Sequence, residues 1–202
     1  GNVVHSGAKK GLVIGDENIM QGGCDDSMVV GKGNVLYSGS DHAYIFGRTN
    51  NTSVDGDYDR GMIVGFSNQA KDCFESLVVG QSNTVTDVSH AIIGGSGNNL
   101  GVATENAWCL GISNTSGDVA TRVAFMGWNG SCTANANYSI ATGFHPKANI
   151  ELGHTHGGGR LSSVEGSIQF TDILVACQTT DATQTTMVAQ QNSGKLRVPL
   201  NS

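Results

Sequence analysis

The sequence predicts an all-β protein: a parallel β-solenoid (β-roll) of about nine coils of 16 residues, self-associating, followed by a small C-terminal β domain. Three observations carry this. Triplets of apolar residues closed by Gly recur at a near-constant interval. Asn follows most of those glycines at a fixed offset. The composition, with 29 Gly among 202 residues and many β-branched side chains, disfavours helices. Low charge with abundant Gly, Asn, Ser and Thr would suit a disordered chain, but regular apolar triplets exclude that.

The triplets are Leu12-Val13-Ile14-Gly15, Met28-Val29-Val30-Gly31, Tyr44-Ile45-Phe46-Gly47 and Met62-Ile63-Val64-Gly65. They continue as Leu77-Val78-Val79-Gly80, Ala91-Ile92-Ile93-Gly94, Trp108-Cys109-Leu110-Gly111, Ala124-Phe125-Met126-Gly127 and a degraded Ile140-Ala141-Thr142-Gly143. Gly15 to Gly143 is 128 residues over eight intervals, a mean of 16, with one residue of ambiguity at the Gly94-Gly95 pair. Asn18, Asn34, Asn50, Asn68, Asn83 and Asn114 stand three residues after their Gly, and Asn2 holds the same phase in a unit whose start is missing. The chain opens at Gly1 without Met or a signal-peptide pattern, so it reads as an excised fragment.

A period this short cannot hold a helix pair or a propeller blade; it fits one solenoid coil of two short strands and two turns. Gly is expected to supply the positive-φ corner after the first strand. Asn is expected to tolerate the left-handed region and to stack into a ladder with Asn of the next coil. Side chains alternate across a strand. The middle set (Val13, Val29, Ile45, Ile63, Val78, Ile92, Phe125) therefore faces opposite to the outer two of each triplet, and both sets are apolar. One set must lie outside, and an apolar stripe along nine coils should be covered by a copy of itself.

The chain has 17 acidic and 11 basic residues, net charge −6, and no Lys/Arg cluster. That argues against nucleic acid or anionic membrane as main partners. The longest apolar run, Ile173 to Cys177, is far short of the roughly 20 residues a membrane helix needs.

The strings Ser89-His90-Ala91-Ile92-Ile93-Gly94-Gly95-Ser96-Gly97-Asn98 and Ser76-Leu77-Val78-Val79-Gly80-Gln81-Ser82-Asn83 resemble the head repeats of YadA-like trimeric autotransporter adhesins. Similar arrays occur in bacteriophage tail fibres and tailspikes. The resemblance covers residues 1–150 and implies a left-handed β-roll that trimerises. The unit is longer than the usual autotransporter one, and Asn replaces the common Ser. Residues 151–202 show no heptads, so no coiled-coil stalk follows. They read as strands over Ser167–Phe170, Ile173–Cys177, Thr185–Ala189 and Leu196–Leu200. The resemblance thus implies the distal part of a phage tail fibre or tailspike. Its implied partners are its own copies, the rest of the fibre, and a bacterial surface polysaccharide or outer-membrane receptor. It would be assembled in the bacterial cytoplasm and carried on the virion. Ser202 matches the point at which such fibres shed a C-terminal chaperone, and equally a plain chain end. The alternatives are a bacterial trimeric adhesin head, a glycan depolymerase and a purely structural shaft.

His154-Thr155-His156 is the sharpest local signal. Residues i and i+2 of an extended segment point the same way. Three such pairs on a threefold axis would present six imidazoles, a set suited to Fe or another divalent transition metal, with flanking glycines permitting close approach. The competing reading is an exposed Gly/His linker. Asp55-Gly56-Asp57-Tyr58-Asp59 starts like a calcium loop, then fails at Arg60 and Phe66, and reads as a surface bulge. The carboxylates Asp25, Asp26, Asp72, Glu75, Asp87, Glu105, Asp118, Glu151 and Glu165 are scattered over coil corners, so no catalytic pair is assigned and the chain is read as a non-enzyme. Cys24, Cys73, Cys109, Cys132 and Cys177 show no C-x-x-C spacing and read as reduced thiols. Finally, the position after the repeat Gly is polar early (Asp16, Lys32, Arg48) and apolar late (Ile112, Trp128, Phe144). Equivalent positions stack in a solenoid, so the late set should form one patch. It would either dock the C-terminal domain or, with Tyr138 and His145, bind a sugar ring.

Overall fold

In the computed structural model, the repeating unit is one turn of a parallel β-solenoid, and no helix forms among the described residues. These are residues 1–52, 58–101, 104–116, 122–133, 136–148, 153–161 and 164–173. Each coil contributes a five-residue strand to one sheet, beginning with Leu12–Asp16, Met28–Lys32 and Tyr44–Arg48, and a two- or three-residue strand to a second. Outside the sixth coil, each triplet pairs in parallel with the next at equal register, as in Val13↔Val29↔Ile45. Register follows from the triplet itself, since a one-residue slip would turn the inner row outward.

The inner row is the middle residue of each triplet. Val29, Ile45, Ile63, Val78, Ile93, Cys109, Phe125 and Ala141 are buried, while Val13 at the open end is half-buried. The opposite wall of the interior is Met20, Leu36, Thr52, Ala70, Val85, Leu100, Ser116, Cys132 and Ala148, from the short strands. The sixth coil shifts the expected phase. Leu77 pairs with Ile92 and Gly80 with Gly95, so the inner residue is Ile93 and Ile92 points out. The repeat glycine there is Gly95, which places Asn98 in the Asn series as well.

That series forms an unbroken ladder. Asn18, Asn34, Asn50, Asn68, Asn83, Asn98 and Asn114 are buried. Each Nδ2 donates to Oδ1 of the preceding Asn at 2.9–3.1 Å. It also donates to the carbonyl of the next coil's repeat glycine at 2.7–3.1 Å. Each Oδ1 accepts the following Asn's backbone N–H, and the ladder ends where Gly130 N–H donates to Asn114 at 2.8 Å. Every side-chain amide of the ladder is thereby satisfied, which burial requires. The left-handed residue at this corner is not Asn but the one before it, as at Thr49, Ser67, Ser82 and Ser113 (φ 54–56°). The repeat glycines do have positive φ; at Gly80 (+121°) an added Cβ would lie 2.0 Å from the Gly95 carbonyl oxygen.

The sheet runs past residue 150. The strand Gly153–Leu161 pairs in parallel with Ile140–Phe144, placing His154, Thr155, His156 and Gly157 as a tenth rung. Val164–Ile173 then pairs antiparallel to it and includes the strand expected over Ser167–Phe170. Nine steps between ten parallel rungs span roughly 43 Å at about 4.8 Å each. Asp55, Asp57, Asp118, Glu151, Cys177 and the strands expected over Thr185–Ala189 and Leu196–Leu200 lie outside the described residues. Of the expected surface bulge, Tyr58 is fully buried instead, donating its hydroxyl to the Ser76 carbonyl at 2.9 Å.

Candidate functional site

Two surface features of the long-strand sheet carry candidate residues, one at each end of its strands. At the C-terminal end, Ile112, Trp128 and Phe144 stand in register on consecutive rungs and all are exposed. The Trp128 and Phe144 rings meet edge to face with centroids 5.2 Å apart. The contiguous patch expected from the spacing is therefore present as geometry. Its N-terminal counterpart on the same column is polar and internally paired. The Lys32 Nζ lies 3.5 Å from both Asp16 and Glu17, and the Arg48 guanidinium lies 5.9 Å from the Phe66 ring centre.

His145 and Tyr138 do not join that patch. His145 is 4% exposed; its ring packs at 4.1 Å on Phe144, and its Nδ1 has no hydrogen-bond partner. Tyr138 lies two residues before its strand, at the other end of the rung.

There it belongs to a second column, in which every residue is left-handed: Lys10, Asp26, His42, Arg60, Glu75, His90, Asn106, Arg122 and Tyr138 (φ 49–57°). This conformation turns each side chain out at the corner, so neighbours one coil apart interact. Lys10 pairs with Asp26 at 3.4 Å, and Glu75 takes both Arg60 at 3.0 Å and His90 at 3.1 Å. Arg122 instead reaches Tyr138, donating to its hydroxyl with the guanidinium 4.9 Å from the ring centre. Between this column and the first outer residue of each triplet runs a seam with two clefts. One, of about 500 Å³, is lined by His42, Tyr44, Arg60, Met62 and Glu75 among others. The other, of about 290 Å³, is lined by Asn106, Trp108, Arg122, Ala124, Tyr138 and Ile140 among others. Trp108 was read only as triplet material; its 59% exposure marks it as a surface group. The signal available in the sequence was a Trp in an outer triplet position followed by Ala124 one rung on.

His154 and His156 share the outer face, with ring centroids 4.2 Å apart. His156 Nδ1 lies 2.6 Å from Thr142 Oγ1. Among the described residues no group of three or more His, Cys, Asp or Glu side chains surrounds one point. The pair offers two imidazoles from one chain, so the other positions of a coordination sphere would fall to water or to donors from further copies.

The carboxylates serve the corners. Asp25 Oδ1 accepts the Lys9 N–H at 2.9 Å, Asp41 accepts that of Asp25 at 2.7 Å, and Asp59 that of Asp41 at 2.8 Å. Asp72 and Asp87 are brought together on adjacent coils. Partial desolvation, then the hydrogen bond and charge of Asp72, raise the Asp87 carboxyl above its usual range. Cys24, Cys73, Cys109 and Cys132 are buried free thiols. Burial pushes Cys73, Cys109 and Cys132 to about 12, which makes them poor nucleophiles and metal ligands at neutral pH.

No protein-family model matches the chain, and no curated protein matches it either.

Proposed function

We propose that the chain is part of a homotrimeric attachment rod, the distal part of a phage tail fibre or tailspike, that binds a bacterial surface glycan or outer-membrane receptor. The observation that carries the reading is the outer face of the long-strand sheet. Leu12, Ile14, Tyr44, Met62, Val79, Ile92, Leu110 and Met126 are all exposed along one strip of stacked rungs. Single chains rarely leave a continuous apolar strip of this length in water, and a second copy presents the matching surface. His154 and His156 continue the same outer rows at the tenth rung. A threefold axis along the strip would gather six imidazoles, suited to iron or another divalent transition metal. The Ile112, Trp128 and Phe144 patch offers an aromatic platform for a sugar ring. Asp26, Asp41, Asp59 and Glu75 are tied into corner pairs and ladders, which takes them out of acid–base chemistry and supports a binding protein over a hydrolase. Buried reduced cysteines suit assembly in a bacterial cytoplasm.

The test has two readings. Light scattering should give three times 20.9 kDa, about 63 kDa, for the wild type, and the one-chain mass for Leu110→Asp with unchanged circular dichroism. Labelled protein should stain host bacteria, with competition by lipopolysaccharide or capsule. A single-chain wild-type particle refutes the self-association. Trimers that stain no host refute attachment and leave a structural shaft.

A further inference from the structure

We infer that the cleft formed by Trp108, Arg122 and Tyr138 is a binding subsite for an acidic saccharide, one carrying a uronate or sialate carboxylate. The inference rests on the attachment reading for its biological setting and adds the chemical class of the ligand and a place distinct from the Trp128 and Phe144 patch.

The cleft arises from side-chain size along one row. Trp108, Ala124 and Ile140 occupy the same strand position on three successive rungs. The small Ala124 lies between two large neighbours and forms the floor. Trp108 walls one side; Ile140 and Tyr138 wall the other. Two rungs separate the walls, about 10 Å, room for one pyranose ring. Trp108 is 59% exposed and Tyr138 47%. The apolar C–H faces of a sugar stack on such rings, while its hydroxyls take hydrogen bonds from polar groups at the rim. Asn106 lies on that rim.

The charge selects an acid. Along this corner column, Lys10 and Arg60 each face a carboxylate one coil on, Asp26 and Glu75. Arg122 breaks the pattern. Its neighbour one coil on is Tyr138, and among the described residues no carboxylate lies within ion-pair distance of it. The tyrosine ring and hydroxyl hold the guanidinium in place, so its remaining N–H donors are preorganised at the cleft. A planar guanidinium fixed this way binds a carboxylate through two parallel hydrogen bonds. The larger cleft along the same seam has Arg60 already neutralised by Glu75 at 3.0 Å. Acid selectivity belongs to the upper cleft alone.

The experiment is a titration of the wild-type assembly, followed by isothermal calorimetry. The probes are oligogalacturonate, oligosialate and a maltooligosaccharide of matched length. At least one acidic probe should bind and the neutral one should not. Arg122→Gln should weaken the acidic probe about 10-fold and lower the salt dependence. Trp108→Ala should abolish measurable binding with the assembly mass unchanged. Three results overturn the inference. Neither acidic probe binds, the neutral probe binds equally, or Trp108→Ala changes the assembly mass, which makes this cleft a contact between copies. Host staining is scored separately. Staining that survives Arg122→Gln with no acidic binding sinks the subsite and leaves the attachment reading standing. Acidic binding without staining does the reverse.

Discussion

Asn68→Ala should cost the solenoid about 5 kcal/mol, and the figure can be built from the neighbours it strands. The Asn68 side chain donates at 3.0 Å to Asn50 Oδ1 and at 2.8 Å to the Gly80 carbonyl. It accepts the Asn83 backbone N–H at 3.1 Å and Asn83 Nδ2 at 2.9 Å. Truncation does not orphan all of these. Asn50 Oδ1 keeps the Asn68 backbone N–H at 3.0 Å, and Asn83 Nδ2 keeps the Gly95 carbonyl at 3.1 Å. The Asn83 backbone N–H loses this partner inside the coil, where leaving a donor unmade costs about 1–3 kcal/mol. The other lost bonds are each worth roughly 1 kcal/mol net because their partners are compensated. Asn2→Ala is the control. It removes the same chemistry at the exposed end of the ladder, where water replaces the amide, so about 1 kcal/mol or less is expected. The assay is urea unfolding by circular dichroism at one fixed protein concentration, since assembly shifts apparent stability. An Asn68→Ala loss within about 1 kcal/mol of the Asn2→Ala loss would refute the reasoning, because burial would then not govern the ladder.

Two further predictions rest on the same interior. Gly80→Ala should abolish soluble expression, since its Cβ would meet the Gly95 carbonyl oxygen at 2.0 Å with φ at +121°, whereas Gly97→Ala, with the nearest atom 3.5 Å away, should fold with a loss of about 1 kcal/mol; equal tolerance at both positions would contradict the close approach of the coils. Stability should also fall above pH 9. The thiols of Cys73, Cys109 and Cys132 are held at about 12 in the folded chain against an ordinary value of 9.0. The unfolded chain therefore releases protons first, and the contribution is full below pH 9 and lost as pH rises toward 12. Each thiol gives up a little over 1 kcal/mol per pH unit in that window, so a variant with all three replaced by Ala should show a flatter decline between pH 9 and 11; identical slopes would refute it.

The sequence carried the period and the two opposite apolar rows because alternation and repetition are properties of the chain itself. Parity put Val29, Ile45 and Phe125 on one face and their triplet neighbours on the other, and it left open which face is the interior; their burial settles that. What it could not resolve was phase at Gly94-Gly95, where either glycine closes a triplet; only pairing of Gly80 with Gly95 decides it. The tenth rung was hidden because His154 and His156 replace apolar outer residues, although Thr155 occupies the inner position and is buried. The candidate sugar patch was half legible. Ile112, Trp128 and Phe144 share a column by spacing, but neither spacing nor backbone φ says which corner residue turns in or out. His145 and Tyr138 both have left-handed φ, 52° and 57°, yet one closes into the interior and the other projects from the far corner. Tyr58 entered the core because it stands four residues before Met62, as the buried Cys24, Ser40 and Cys73 stand before Met28, Tyr44 and Leu77; counting forward from the previous Gly misses this because the interval there is longer.

Height along the rod gives these rows a functional asymmetry. The column after the repeat Gly begins as an ion-paired surface at Asp16 and Lys32 and ends as Ile112, Trp128 and Phe144. The corner column likewise begins with compensated charges and ends with Arg122 and Tyr138. Both columns therefore become ligand-like over the same last three coils, on opposite ends of the same strands. Each feature is shallow and exposed, so one copy alone would hold a saccharide weakly, because little of the ligand leaves water. The proposed three copies on one axis would change the arithmetic: once one site is occupied, the next would meet its ligand at a high effective concentration, and avidity gains of about 100-fold or more would follow without any new contact. On the proposed reading, self-association and attachment would be one property. Leu110→Asp leaves both columns intact, so it should keep the single-site affinity for a short acidic oligosaccharide while losing the staining of intact cells. A monomer that stains cells as well as the trimer does would break that link, and would mean that a single chain carries the whole of the binding surface.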